Sequence, residues 1–267
     1  MPPSPPVPFV PYRVGLLGAG RVAGQLGPAL LTAGHPVVGV WSRHAATAAA
    51  LAAALPGAAV LPDLTALPPA DLYLLAVPDA AVASVLAAAA WPAGALVAHT
   101  AGALPLSVFA AQPNVRGGVF YPLQTFSPGR AVDWATVPLC VEAAEPTGRA
   151  VLLALAHRLS QRVLPLASAD RLRLHVAAVF ANNFTNHLLG IAQALLAEAN
   201  LPADLLAPLV RETVDKALAS ASPFAVQTGP ATRHDLPTLA AHRAALAAHP
   251  AWQGLYDALT ASIRAQL

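Results

Sequence analysis

The pattern of hydrophobic and polar positions changes near residue 166. From residue 13 to about 166, short apolar runs alternate with alanine-rich stretches of helical character. This alternation is typical of a mostly parallel sheet that helices cover on both faces. The pattern predicts strands at residues 13–17, 36–41, 58–61, 71–77, 95–100, 116–121, 137–141 and 162–165. It predicts the first four helices at residues 22–33, 45–55, 80–90 and 146–160.

After residue 166 the strand-like runs stop. Residues 169–200 have the pattern of one long helix, and further helical stretches follow to the end of the chain. Proline separates these stretches because it disfavours helix at the residue before it. We therefore predict a flexible proline-rich tail at residues 1–11, an α/β domain at residues 12–166 and an all-helical domain at residues 167–267.

A glycine-rich turn follows the first predicted strand, in a Gly-x-Gly-x-x-Ala motif that runs from Gly18 to Ala23. Gly18 permits the tight turn, Gly20 lets the backbone approach a pyrophosphate, and Ala23 lets helix and strand pack closely. The predicted helix that starts at Val22, directly after Arg21, offers free N–H groups and its positive dipole end to phosphates. In this context the motif favours a Rossmann-type, doubly wound sheet that binds a dinucleotide. A plain glycine-rich turn is the alternative.

The end of the second predicted strand indicates which dinucleotide binds. A site for NAD places an acidic side chain there to hold the ribose 2′-hydroxyl, whereas this chain has Ser42 and Arg43. A hydroxyl and a guanidinium suit a 2′-phosphate, so NADP is the predicted cofactor, unless Arg43 is only a solvated surface residue. Two further strand ends, at Val77-Pro78 and at Thr100, point at the crevice where open α/β sheets bind ligands, with ordinary turns as the alternative for each. The predicted cofactor-binding residues are Gly18, Ala19, Gly20, Arg21, Val22, Ser42, Arg43, Val77, Pro78 and Thr100.

Composition bears on location and partners. The chain is 56% hydrophobic and 10% charged, well below the roughly 25% charged residues of ordinary globular proteins. Its longest uncharged apolar stretch, residues 80–98, is mostly alanine and is broken by Pro92 and Gly94, so we predict no membrane span. A net charge of +2 without basic clusters argues against nucleic acid as a partner. Cys140 is the only cysteine and no secretory signal is recognisable, so we expect a cytoplasmic protein.

Four segments carry a resemblance to a known family. They are residues 99–104, His-Thr-Ala-Gly-Ala-Leu; residues 121–126, Tyr-Pro-Leu-Gln-Thr-Phe; residues 175–183; and residues 228–235, Thr-Gly-Pro-Ala-Thr-Arg-His-Asp. With the glycine-rich turn, they resemble the 6-phosphogluconate dehydrogenase-like superfamily. More closely, the chain resembles a largely uncharacterised bacterial family that joins a Rossmann-like domain to a C-terminal helical domain of unknown function.

The resemblance implies more than the fold. Members of the family are described as oxidoreductases that use NADP or the deazaflavin F420, so F420 is a candidate hydride partner. The resemblance also implies a homodimer built through the C-terminal helices and a substrate crevice between the domains. The chain departs from the family in one place, because the motif usually begins His-Pro-Leu-Gln and Tyr121 stands in place of that histidine.

The long predicted helix carries the candidate catalytic residues. His175, Asn182 and Asn186 are spaced by seven and four residues, which predicts one polar stripe on an apolar helix, with Asn183 at its edge. Such a stripe either lines a wet cleft or packs through satisfied amides in a dimer interface. In a cleft, His175 would be the proton donor and Asn183 an orienting or polarising amide, with Gln124 and Thr100 approaching from the sheet side. Asn182 is a further candidate catalytic residue.

The remaining charged residues bear on the reaction, the substrate and metal binding. Lys216 is the only lysine and lies well beyond the interdomain helix, so the lysine mechanism of related β-hydroxyacid dehydrogenases does not transfer simply. Arg233 could clamp a carboxylate or phosphate of the substrate, or it could pair with Asp235. We predict no metal site, since few carboxylates accompany the histidines.

The sequence is compatible with two functions. The first is an NADP-dependent oxidoreductase that transfers a hydride to or from a small carbonyl or imine substrate. The second is a non-catalytic NADP-binding or sensing module that acts through protein association. The fold alone does not distinguish them, because function belongs to the site.

Overall fold

The computed structural model of the protein describes residues 10–266. All but the last two residues of the predicted tail, 1–11, thus lie outside the described residues. The strands are β1 (Val14–Leu17), β2 (Val37–Trp41), β3 (Ala59–Val60), β4 (Leu72–Leu75), β5 (Ala95–His99), β6 (Val115–Pro122), β7 (Leu139–Ala143) and β8 (Val163–Pro165). The α-helices are α1 (Arg21–Thr32), α2 (Ala45–Ala53), α3 (Asp79–Ala88), α4 (Pro146–Leu159), α5 (Ser168–Ala178), α6 (Thr185–Glu198), α7 (Ala207–Ala219), α8 (Leu236–Ala245) and α9 (Pro250–Arg264).

The strands form one sheet in the order β3-β2-β1-β4-β5-β6-β7-β8. Neighbours from β3 to β6 pair in parallel, β7 pairs antiparallel to β6, and β8 pairs parallel to β7. The strand order reverses between β1 and β4, which is where doubly wound folds bind their ligands. The predicted fold class is therefore confirmed, and each predicted strand overlaps an observed one.

Apolar side chains cover both faces of the sheet. In β1, Leu16 belongs to the core on one face and Leu17 to the core on the other, because successive side chains of a strand point to opposite faces. The first core also takes in Leu26 of α1 and Leu152 of α4, and the second takes in Val82 of α3. Burial on both faces explains why the central strands are continuous apolar runs rather than alternating ones.

The described chain forms two compact units, divided after Asn182. The first holds the sheet with α1 to α5, and the second holds α6 to α9. The domain boundary that the sequence predicts between residues 166 and 167 stays a prediction. No helix in residues 10–266 combines the length and the apolar character that crossing a membrane requires.

The long helix predicted at residues 169–200 is not uniform. A π-helical segment, Val179–Phe184, separates α5 from α6. A π turn closes hydrogen bonds five residues apart instead of four, so the positions beyond it are displaced from their α-helical directions. The prediction that His175, Asn182 and Asn186 form a single stripe assumed uninterrupted α-helical spacing. The π-helical segment interrupts this spacing, so the prediction is wrong.

A buried ion pair ties the start of α5 to the sheet. Arg171 is fully buried and pairs with Glu142 of β7, and its guanidinium also donates to the carbonyl oxygen of Leu104 at 2.6 Å. The Ser168 hydroxyl donates to Glu142 Oε2 at 2.8 Å. A buried charge of this kind is tolerated only because it is paired and hydrogen-bonded, so these contacts hold the first turn of α5 against the edge of the sheet.

Candidate cofactor and active site

A cavity of about 640 Å³ opens where the carboxyl ends of β1, β2 and β4 meet. This volume falls within the range of ligand pockets. Seven of the ten predicted cofactor-binding residues line it: Gly18, Ala19, Gly20, Ser42, Arg43, Val77 and Pro78. The cavity therefore stands at the place where the strand order reverses, and dinucleotide binding by its lining residues stays a prediction.

The two glycines of the turn have different roles in the structure. Gly18 adopts φ +118°, and a Cβ there would lie 2.3 Å from the carbonyl oxygen of Ala76, so only glycine fits between β1 and β4. Gly20 directly precedes α1, and a Cβ there would meet no heavy atom within 4 Å among the described residues beyond its neighbours. The space in front of the helix start is open, as a bound pyrophosphate requires.

Arg21 and Val22 form the first residues of α1 and do not line the cavity. Their part in the predicted site is therefore that of backbone donors at the helix start, not of side chains facing the cavity. Thr100 also stands apart from the lining. It is buried, and its hydroxyl donates to the carbonyl oxygen of Leu75 at 3.2 Å, which ties the end of β5 to β4.

The turn from β2 to α2 presents hydroxyls and a cation to the cavity. The hydroxyls of Ser42 and Thr47 are hydrogen-bonded to each other at 2.9 Å, and the backbone N–H of His44 donates to Ser42 at 3.3 Å. The Arg43 guanidinium is exposed and makes no hydrogen bond or ion pair within residues 10–266. Sequence reasoning missed His44 and Thr47, although their place in the first turn after a strand end could have indicated them.

A second group of residues lies at the same edge of the sheet, beyond β5. Tyr121 of β6 and His175 of α5 are hydrogen-bonded, with 3.1 Å between Oη and Nδ1. Gly102 lies against both, because a Cβ there would come within 2.5 Å of Nδ1 and 2.8 Å of the Tyr121 Cζ. The sequence singled out His175 and Tyr121 separately and did not predict their contact.

Electrostatics distinguish the two histidines at this edge. Burial, with a smaller effect of the Arg171 charge, lowers the pKa of His99 to about 4, so this side chain is neutral near pH 7. His99 is fully buried, whereas His175 is partly exposed. Burial also raises the pKa of Tyr121 to about 12, with Cys140 and Asp79 adding to the effect. Of the two histidines, His175 is therefore the one that is accessible from outside the core.

The other predicted site residues are distributed over both units. Gln124 is exposed after β6, and its side-chain oxygen accepts from the backbone N–H of Thr125 at 2.8 Å. Asn182 and Asn183 are exposed in the π-helical segment. Asn183 belongs to the second unit, as does Arg233.

Arg233 is exposed and forms no ion pair with Asp235 among the described residues. The carboxylate of Asp235 instead caps α8, where it accepts from the backbone N–H and the hydroxyl of Thr238. These hydrogen bonds are the largest cause of the lowered pKa of Asp235. Within residues 10–266, no group of three or more His, Cys, Asp or Glu side chains is placed to hold a metal ion.

Comparison with known families identifies the class of protein. Residues 8–124 match the Rossmann-like domain family, and residues 137–263 match a domain of unknown function, DUF2520. Together the two matches extend over most of the chain. The chain belongs to the family that joins these two domains, as the sequence resemblance indicated.

Individual solved structures agree with this assignment. The chain is 38% identical to a proposed NADP oxidoreductase from Bacteroides fragilis, with a TM-score of 0.85 over 95% of this chain and 98% of that one. A Thermotoga maritima protein is 19% identical with a TM-score of 0.70, over 95% and 97% of the two chains. A reductive aminase from Aspergillus terreus, in complex with NADPH and ethyl levulinate, is 18% identical with a TM-score of 0.70, over 95% and 93%. No curated protein matches the chain.

The two glycines generate a testable contrast. We expect Gly18→Ala to destabilise the protein by about 1–3 kcal/mol, because alanine is strained at this φ and collides with the Ala76 carbonyl. Gly20→Ala is the matched control and should change stability by less than about 1 kcal/mol, since its Cβ enters open space. Denaturant unfolding of both variants measures the difference. Equal destabilisation by the two substitutions would contradict the described turn.

Proposed function

We propose that this protein is an NADP-dependent oxidoreductase that transfers a hydride to or from a small carbonyl or imine substrate. The observation that carries the proposal is the open cavity at the strand-order reversal, with Arg43 at its rim and His175 at the same sheet edge. Two similar proteins support it, one described as a proposed NADP oxidoreductase and one solved with NADPH and a keto ester.

The residues around the cavity fit the proposed cofactor. The backbone at Gly20 and the start of α1 would hold the pyrophosphate, because the helix start offers free N–H groups and leaves open space before it. Arg43, with the hydroxyls of Ser42 and Thr47, would hold the 2′-phosphate. NADPH supplies the hydride when bound. The similar proteins give no support to F420 as a hydride partner.

Reduction of a carbonyl or imine also requires a proton for the oxygen or nitrogen. In this proposal His175 delivers it from Nε2, the ring nitrogen that Tyr121 does not contact. Asn182, Asn183 and Gln124 are proposed to orient the substrate. Arg233 is proposed to bind a carboxylate or phosphate on it, since its guanidinium is exposed.

Apolar exposure in the second unit supports self-association. Leu218 and Leu209 of α7 are 82% and 63% exposed, and Phe224 is 64% exposed. Contiguous exposed apolar patches mark interaction surfaces, and we propose that these side chains form part of one. A second copy of the chain is the occupant that we propose, so that the C-terminal helices build a homodimer, as the family resemblance implies.

Cofactor choice has a direct test. Arg43→Ala should weaken NADPH binding by more than about tenfold and NADH binding by little, because a charge-assisted phosphate contact is lost. Calorimetric titration of both cofactors measures this, with Arg149→Ala, an exposed arginine on α4, as the matched control. An equal loss of affinity for the two cofactors would remove Arg43 from the 2′-phosphate site.

Turnover separates the enzyme from the non-catalytic module. We expect wild-type protein to oxidise NADPH with members of a panel of ketones, keto esters and cyclic imines. His175→Ala and Asn183→Ala should reduce kcat by roughly 10²-fold or more and leave NADPH affinity nearly unchanged, since they act on the substrate side. His157→Ala, an exposed histidine on α4, is the control. NADPH binding without turnover of any substrate would favour the sensing module.

The proposed dimer is tested by sedimentation velocity. At micromolar concentration, wild-type protein should sediment as a species with twice the chain mass of 27.2 kDa. Leu218→Glu should shift it towards the monomer, because a charge placed in a desolvated apolar interface is costly. Leu164→Glu, on β8 of the first unit and 43% exposed, should leave the dimer intact. A monomeric wild type would contradict the proposal.

A further inference from the structure

Three segments of the first unit converge on one hydrogen bond. Tyr121 lies at the carboxyl end of β6, opposite Cys140 of β7, and its hydroxyl oxygen is 3.1 Å from His175 Nδ1. The two rings meet edge to face, with centroids 6.0 Å apart at 74°. Gly102, beyond the end of β5, has no room for a side chain against this pair. The contact is therefore built into the sheet edge.

The burial of Tyr121 decides which partner donates. Tyr121 is 9% exposed, and burial raises the pKa of its hydroxyl to about 12, so the hydroxyl keeps its proton near pH 7. A neutral imidazole has one nitrogen that donates and one that accepts. The hydroxyl hydrogen of Tyr121 has no other acceptor than His175 Nδ1 within residues 10–266, and a buried donor is costly without a partner. Tyr121 thus donates to Nδ1, and neutral His175 carries its proton on Nε2.

We propose that Tyr121 is a positioning residue that holds the proton of His175 on Nε2 and resupplies it through Nδ1 during reduction. This inference rests on the proposed function, in which His175 is the proton donor. It gives Tyr121 a role of its own, where the family motif usually has histidine.

The proposed step balances. The hydride forms a C–H bond at the carbonyl or imine carbon, and the electron pair of the broken π bond goes to the oxygen or nitrogen. That atom takes the Nε2 proton, and Nδ1 takes the Tyr121 proton as the Oη–H bond breaks. The resulting tyrosinate is a much weaker base than an alkoxide, so the transfer to an alkoxide is favourable. A proton from the solvent then binds Nε2, and Nδ1 returns its proton to Tyr121 Oη, which restores the starting state.

The first experiment needs no turnover. Nitrogen-15 NMR of histidine-labelled wild-type protein should show neutral His175 with a protonated Nε2 and a hydrogen-bonded, unprotonated Nδ1. In Tyr121→Phe, the Nδ1 signal should move to the position of an acceptor without a hydrogen bond. A wild-type spectrum with the proton on Nδ1 would overturn the proposal.

The second experiment measures the relay. In single-turnover reduction by the wild type, the rate should depend on the deuterium fraction of the solvent along a curve, because two protons move together. In Tyr121→Phe the rate should depend on the deuterium fraction along a straight line. In steady-state assays this variant should have a lower kcat, with unchanged KM and NADPH affinity. The loss should be smaller than the roughly 10²-fold or more expected for removing His175 itself. A straight line for the wild type would overturn the relay.

The chain contains a matched control. Tyr256 and His242, in the second unit, form the same type of contact, with 2.9 Å between Oη and Nδ1 and rings at 82°. Tyr256→Phe should leave the rate and its deuterium dependence unchanged. A wild type without any turnover would contradict the proposed function and the relay with it, whereas the NMR measurement would still decide which partner donates.

Discussion

Parallel pairing of β1 with β2 on one side and β4 on the other is the constraint on which the proposed site depends. This pairing brings the carboxyl ends of three strands to one edge of the sheet. After β1, the chain must then pass between β2 and β4 without a steric clash with either strand. Gly18 makes this exit: its backbone N–H donates to the Trp41 carbonyl oxygen of β2 at 2.7 Å, while the missing Cβ leaves room for Ala76 after β4. The cavity and the free start of α1 follow from that turn.

Farther along the same edge, at the ends of β5 and β6, the side chains have a different chemical environment. Around Arg43 the surroundings are exposed and cationic, which suits a phosphate. Around Tyr121 they are buried, and burial keeps the hydroxyl protonated and next to His175. Asp79, the first residue of α3, helps to raise the pKa of Tyr121, and the preceding Pro78 lines the cavity. The proposed cofactor site and the proposed proton donor thus adjoin along one sheet.

Local patterns in the sequence were sufficient to predict most of the strands and helices and the glycine-rich turn. Apolar runs of strand length and the Gly-x-Gly spacing are short-range signals, and the seven cavity residues named from them lie together because strand ends in a parallel sheet share an edge. Extrapolated spacing was less reliable, because the π-helical segment interrupts the α-helical spacing that the predicted stripe of His175 and Asn186 assumed. The Thr100 hydroxyl donates to the Leu75 carbonyl oxygen, and a role of Thr100 in cofactor binding stays a prediction.

The sequence by itself determined the fold class, the family and the place of the glycine-rich turn, because apolar runs and short motifs encode each of them. Only the tertiary structure decided the pairing of Tyr121 with His175, 54 residues apart, and the anchoring of α5 by Arg171 and Glu142. Such contacts depend on how β6, β7 and α5 pack. The contribution of these contacts to stability depends on burial and on the direction of single hydrogen bonds. No periodic pattern in the sequence encodes either of these.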